Sequence, residues 1–251
     1  MAEGATPARQ GPARVPPGAK KLDYWWTVLF TDPIAVPVTN LLARTKLLTA
    51  NQVSVVALVL GYSVGAIFTL GTRTALIAAA VVFYLAFVAD CVDGKLARAL
   101  GTTGPRGEGF DKLSDGARRA SASLGLALWL WRAEVPGDGS LWWAPAGVPE
   151  SSFIFAIVYA VLAYYFLEVS GANETRREAW FVDGAQERPP GGRWNRALAR
   201  RRLLPMPGMP DVQAMVFIIG PLTGLVVPAL IVGTVMVTTG ILINARRRLT
   251  A

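Results

Sequence analysis

TALIAAAVVFYLAFVADCVDGKLARALGTTGPRGEGFDKLSD, residues 74–115, begins as an apolar run and ends as a string of aspartates. Residues 74–92 come close to the ~20 residues that a helix needs to cross a hydrocarbon core. The rest is polar and rich in glycine. The stretch therefore reads as a transmembrane helix that delivers acids to a membrane surface, followed by a loop and a second helix. Asp90 and Asp93 are three apart and share a face of the first helix; Asp111 and Asp115 are four apart and share a face of the second. Gly94 and Ala97 continue the Asp90 face with almost no side chain, which leaves room for another helix or a flat ligand. Acids at membrane depth are costly and mark function.

Working outward, the second span at 74–92 is flanked by others. A first apolar run covers residues 53–70 and closes at Gly71. A third begins near Leu113 and reaches Trp131, and a fourth covers 153–169. Residues 212–244 are too long for one span. Gly220, Pro221 and Gly224 split them into two, the first of them short. The fold class is thus all-α: a polytopic membrane protein of six transmembrane helices. Residues 22–30, LDYWWTVLF, are aromatic and amphipathic, and read as a helix lying in the interface. Pro33 and Pro37 are expected to break the chain after it. Residues 1–21 read as a flexible cytoplasmic tail and 22–251 as one membrane-embedded domain. Trp142 and Trp143 mark a second interfacial patch at 141–149. The segment 176–202 reads as irregular, with a short helix near 194–202.

Composition agrees. Of 251 residues, 53% are hydrophobic and only 17% charged, with a mean hydropathy of +0.40. These values exclude a disordered chain and argue against a soluble globule. No cleavable signal is visible in the first twenty or so residues. The net charge is +8. With both termini inside, 23 of the 25 basic residues fall on the cytoplasmic side, leaving only Arg73 and Arg132 outside. The basic charge thus needs no nucleic acid to explain it: an anionic leaflet suffices. The location expected is a bacterial inner (cytoplasmic) membrane, multi-pass, with the acids on the cytoplasmic side.

The chain has one cysteine and no histidine. That excludes a disulfide framework and a histidine base. Any metal site must be built from carboxylate oxygen, which suits Mg²⁺, Mn²⁺ or Ca²⁺ rather than Zn²⁺. Four carboxylates brought together would repel strongly unless divalent cations neutralise them. Two such ions would balance the four aspartates, and a pair of hard cations is what phosphoryl chemistry uses. Cys91 reads as structural. Glu168 either lines a pocket or reaches to water. Lys95 and Lys112 read as solvated charges.

Asp90, Asp93, Gly94, Ala97, Arg98, Gly107, Asp111 and Asp115 match the pattern D-x2-D-G-x2-A-R-x8-G-x3-D-x3-D at every spacing. In this the sequence resembles the CDP-alcohol phosphotransferase family of integral membrane enzymes. Asn51, in LTANQVS, resembles the family's Thr-Pro-Asn start of the first span, with Ala50 in place of proline. The resemblance implies that Asp90, Asp93, Asp111 and Asp115 hold two Mg²⁺ or Mn²⁺ ions. Gly94 and Ala97 would make room for the cytidine nucleotide, Arg98 would pair with the diphosphate, and Gly107 would let the inter-helix loop turn past the nucleotide. Asp115 would be the general base, taking the proton from the acceptor hydroxyl as it attacks phosphorus and expels CMP. The family also implies a homodimer.

The donor expected is CDP-diacylglycerol, the acceptor an alcohol or a water-soluble alcohol bearing its own phosphate, and the product a phospholipid. A soluble CDP-activated alcohol with a lipid acceptor is the alternative. Two other classes fit less well. A membrane prenyltransferase carries two separate Asp-rich motifs, and a cation-coupled transporter places acids at mid-bilayer with repeat symmetry. Of the arginines in 172–204, Arg176 and Arg177 are candidates for an acceptor phosphate, whereas Arg200, Arg201 and Arg202 read as headgroup charges.

Overall fold

The computed structural model describes residues 15–132, 154, 156–164 and 193–249. Among these the fold is all-helical, and the one strand-like feature is an isolated parallel bridge between Asp23 and Leu203. The helices are α1 (Asp32–Thr45), α2 (Ala50–Phe68), α3 (Arg73–Leu100), α4 (Pro105–Arg132), α5 (156–164), α6 (Arg193–Arg200), α7 (Met209–Ala214), α8 (Gly220–Thr223) and α9 (Val226–Leu249). The short helix expected near 194–202 is α6. The patch at 141–149, Glu168, Arg176 and Arg177 lie outside the described residues.

Helix ends follow local chemistry. Thr49 accepts from the Gln52 N–H, and the Gln52 side chain accepts from the Thr49 N–H, a capping box that starts α2. The Thr72 hydroxyl accepts from Ala75 N–H at the start of α3. That helix ends at Gly101, whose φ of +66° is the left-handed cap glycine favours. Pro105 then opens α4, where its missing N–H costs nothing. The third apolar run therefore belongs to a helix that starts eight residues before Leu113. Gly107 lies inside α4 rather than in the loop, and the turn expected of it is made by residues 101–104.

Pro33 and Pro37 do not break the chain, contrary to expectation. A π-helical turn at Thr27–Thr31, in which Asp32 N–H bonds to Thr27 O, runs directly into α1. The widened turn comes just before Pro33, which then sits in the first turn of α1, where proline is tolerated. One continuous helical stretch thus reaches from Trp25 to Thr45. Its Ala35, Thr39 and Leu42 are buried, while Phe30, Ile34 and Leu41 are exposed.

Among the described residues three helices are long and apolar enough to cross a membrane: α2, α3 and, within α9, Val226–Ile243. Residues Met209–Thr223 form a shorter apolar stretch, separated from α9 at Gly224, whose φ is +80°. That break falls within the expected turn. The spanning helices point Val55, Val59, Leu85 and Val235 outward, which lipid accepts and water penalises. The chain is a helical membrane protein.

Inside, Phe83 of α3 and Tyr159 of α5 both pack on Phe217, with ring centroids 4.9 and 5.8 Å away. Phe68, Leu126 and Leu230 complete the fully buried centre. Between α2 and α4 the backbones nearly touch. A Cβ added at Gly125 would lie 2.5 Å from Gly65 Cα, and one at Gly61 would lie 2.9 Å from Arg118 Cβ. The glycine spacing of Gly61 and Gly65, one turn apart, makes the seam, as small residues do in membrane helix pairs.

Candidate active site

The close α2–α4 seam, with Gly61 against Arg118, sets where Arg118 of α4 meets α3. Across that junction the two motif helices meet through a residue outside the motif. Arg118, on α4, is only 2% exposed and stands between Asp90 of α3 and Asp115 of its own helix. Its Nη1 is 3.5 Å from Asp90 Oδ1, and its Nη2 donates to Asp115 Oδ1. Arg119 Nη1 lies 3.0 Å from the other Asp115 oxygen. The Arg118 guanidinium also lies over two aromatic rings of α3, 5.7 Å from the centroid of Phe83 and 5.2 Å from that of Phe87. The sequence reading gathers the four motif aspartates around divalent ions and places no arginine between Asp90 and Asp115.

A sequence signal for Arg118 existed. It follows Asp115 by one helical turn within the run taken as the third span, and an intramembrane cation demands a nearby anion.

Of the other motif residues, Asp93 is buried on α3 and Asp115 is half-exposed. Gly94 faces the Arg98 guanidinium: a Cβ there would meet Arg98 Nη1 at 3.3 Å. Ala97 and Arg98 occupy the last turn of α3, and Arg98 Nε donates to Gly18 O at 2.7 Å. The Asp111 side chain lies outside the described residues. Among the described residues no three ligating side chains form a metal cluster.

Lys95 corrects the expectation of a solvated charge. It is buried and its Nζ lies 2.9 Å from Asp32 Oδ1. Arg202 Nη1 approaches the other Asp32 oxygen at 3.0 Å, and Arg202 Nη2 donates to Lys20 O. Arg202 is therefore no headgroup charge. The physical reason in both cases is Asp32, an acid that α1 carries into the interior and that requires cationic partners there.

This network anchors a strap over the motif end of α3. Asp23 N–H bonds Arg202 O at 2.8 Å, Leu204 N–H bonds Asp23 O at 3.0 Å, and Trp25 Nε1 donates to Leu204 O at 2.8 Å. Asp211 accepts from Trp26 N–H at 2.6 Å and from Gly208 N–H at 2.7 Å, which caps α7. Burial pushes the Asp23 carboxyl above the usual aspartate range, although Tyr24 N–H and Lys20 counter that.

Fold and site thus define a helical membrane protein with acids gathered where two motif helices meet. Residues 47–177, more than half of the chain, match the sequence model of the CDP-alcohol phosphatidyltransferase family, and the chain belongs to that family. No curated protein matches the chain at a significant level. The family supports transfer of a phosphate group from a CDP-alcohol, so the protein is a transferase of the membrane.

Proposed function

We propose that the protein transfers a substituted phosphate from CDP-diacylglycerol to the hydroxyl of an alcohol, releasing CMP, in phospholipid synthesis. The observation that carries this reading is the approach of Asp90 and Asp115, from α3 and α4, to one guanidinium. Two carboxylates that share one cation can share another. Their oxygens fit a hard divalent ion, and no histidine competes. Asp90, Asp93, Asp111 and Asp115 would hold two Mg²⁺ or Mn²⁺ ions. Bound there, the ions would supply charge stabilisation at the diphosphate.

The remaining roles belong to the chain. Gly94 and Ala97 leave space beside α3 for the cytidine nucleotide, and Gly107 keeps the first turns of α4 bare. Arg98, whose Nη1 lies over Gly94, offers a planar fork to the diphosphate. Asp115 takes the acceptor's proton. The freed oxygen forms a bond to the β-phosphorus while the bond from that phosphorus to the bridging oxygen breaks, and CMP leaves with the electron pair. In this reading six helices span the inner membrane, the acids and both termini face the cytoplasm, the continuous helix from Trp25 lies in the interface, and two copies pair. A soluble CDP-activated alcohol with a lipid acceptor is the alternative donor.

CMP release decides. Purified protein in neutral detergent is given CDP-diacylglycerol or a soluble CDP-alcohol, each against a panel of acceptors with Mg²⁺ or Mn²⁺. Release with CDP-diacylglycerol that stops in EDTA is the result expected. Release with only the soluble donor moves the reading to the alternative, and full turnover in excess EDTA removes the metal roles.

A further inference from the structure

Arg118 has a place in the site that the motif does not give it. Its side chain is buried and touches an acid of each motif helix, Asp90 on α3 and Asp115 on α4. The Phe83 and Phe87 rings hold the guanidinium from the α3 side, and Gly61 of α2 has no side chain where Arg118 Cβ needs the room. The site is thus shaped to hold a cation at this point. Two carboxylates facing each other at low dielectric would otherwise push α3 and α4 apart.

We propose that Arg118 is a built-in counter-cation: it closes the Asp90–Asp115 pair in the metal-free protein, and a divalent ion must compete with it for the same oxygens. The proposal rests on the metal reading above. Arg118 is a positioning residue, since it acts through the two acids. A fixed positive charge within the ligand set weakens metal binding by repulsion beside Asp90 and by occupying Asp115 Oδ1. In return it keeps the two helices registered while the site waits for the ion. The competition raises the metal concentration at which the site loads.

The test compares wild type, Arg118→Gln and Arg118→Lys as full-length protein in neutral detergent. Mn²⁺ binding is followed by the loss of the free-ion electron paramagnetic resonance signal, and thermal unfolding is followed in EDTA and in Mn²⁺. Arg118→Gln is expected to unfold at lower temperature in EDTA, to gain more from Mn²⁺ than wild type does, and to bind Mn²⁺ about tenfold tighter as the opposing charge is removed. Arg118→Lys keeps the charge but cannot fork between two carboxylates, so a shift of about threefold in the same direction is expected. It decides the matter should the glutamine variant fail to fold. A merely structural arginine would lower stability in EDTA and leave Mn²⁺ affinity unchanged or weaker, and that result overturns the proposal alone. Absence of Mn²⁺ binding in all three proteins overturns the metal reading and the proposal together.

Discussion

Lys95, two residues past a motif aspartate, is neutralised by Asp32 of the N-terminal helix at 2.9 Å, with both side chains out of water. The same carboxylate binds Arg202 through its second oxygen. One acid thus ties α1, the motif helix α3 and the segment after α6 to one point. Asp32→Asn would leave two cations in the interior without a charge partner, at a cost of about 3–5 kcal/mol. Lys95→Met leaves the Asp32–Arg202 pair whole and should cost clearly less. Thermal unfolding of both variants in detergent measures the order; a Lys95→Met protein less stable than Asp32→Asn contradicts this account of the network.

The helix seam makes a second prediction. Gly65→Val or Gly125→Val forces the α2 and α4 backbones apart and should cost about 1–3 kcal/mol or more. The displaced α4 carries Asp115 with it, so CMP release should fall further than stability alone explains.

Gly107→Ala separates fold from chemistry. Nothing lies within 4 Å of the added Cβ, and the position is helical, so stability should hold or rise by about 0.5–1 kcal/mol. If the bare backbone there serves the nucleotide, KM for the CDP-alcohol rises while the acceptor's KM does not. An unchanged donor KM removes Gly107 from the nucleotide site.

Asp115→Asn should lose turnover by roughly 10²-fold, the usual contribution of a general base. Nucleotide binding, measured by calorimetry with CMP, should survive in large part. Near-normal turnover with intact CMP binding would reassign the base.

Asp23 sets a pH dependence. Its carboxyl holds a proton more tightly in the folded protein than in the unfolded chain because burial penalises the charge. The folded state therefore binds more protons between the two values, and stability falls as pH rises through them. Asp23→Asn removes that slope and keeps the acceptor for Tyr24 N–H. Melting temperatures from about pH 4 to about pH 7 should decline less for the variant than for wild type.

The motif helices were legible because their signals are local. Acids three and four apart fix which faces they share, and an apolar run of the right length announces a span. Gly101 and Pro105 were readable as a helix stop and start, yet the sequence reading gave the turn to Gly107, since the motif drew attention past the cap. Pro33 and Pro37 misled for a different reason. The residue pattern does not announce the π-turn that leads Pro33 into the first turn of α1, where proline is tolerated, and Pro37 stands inside the same helix without ending it. Asp32, Lys95 and Arg202 stayed hidden because each looks solvated alone. Only the tertiary fold, joining positions 170 residues apart, shows that they neutralise one another.

The strap also orders events in time. Trp25 finds its partner carbonyl 179 residues later in the chain, at Leu204, and Asp23 bridges to Leu203. A ribosome delivers the beginning first, so the N-terminal segment must wait while α1 through α6 are made and inserted. The segment that precedes α1 is thus among the last to dock, and until it does, the motif end of α3 stays uncovered.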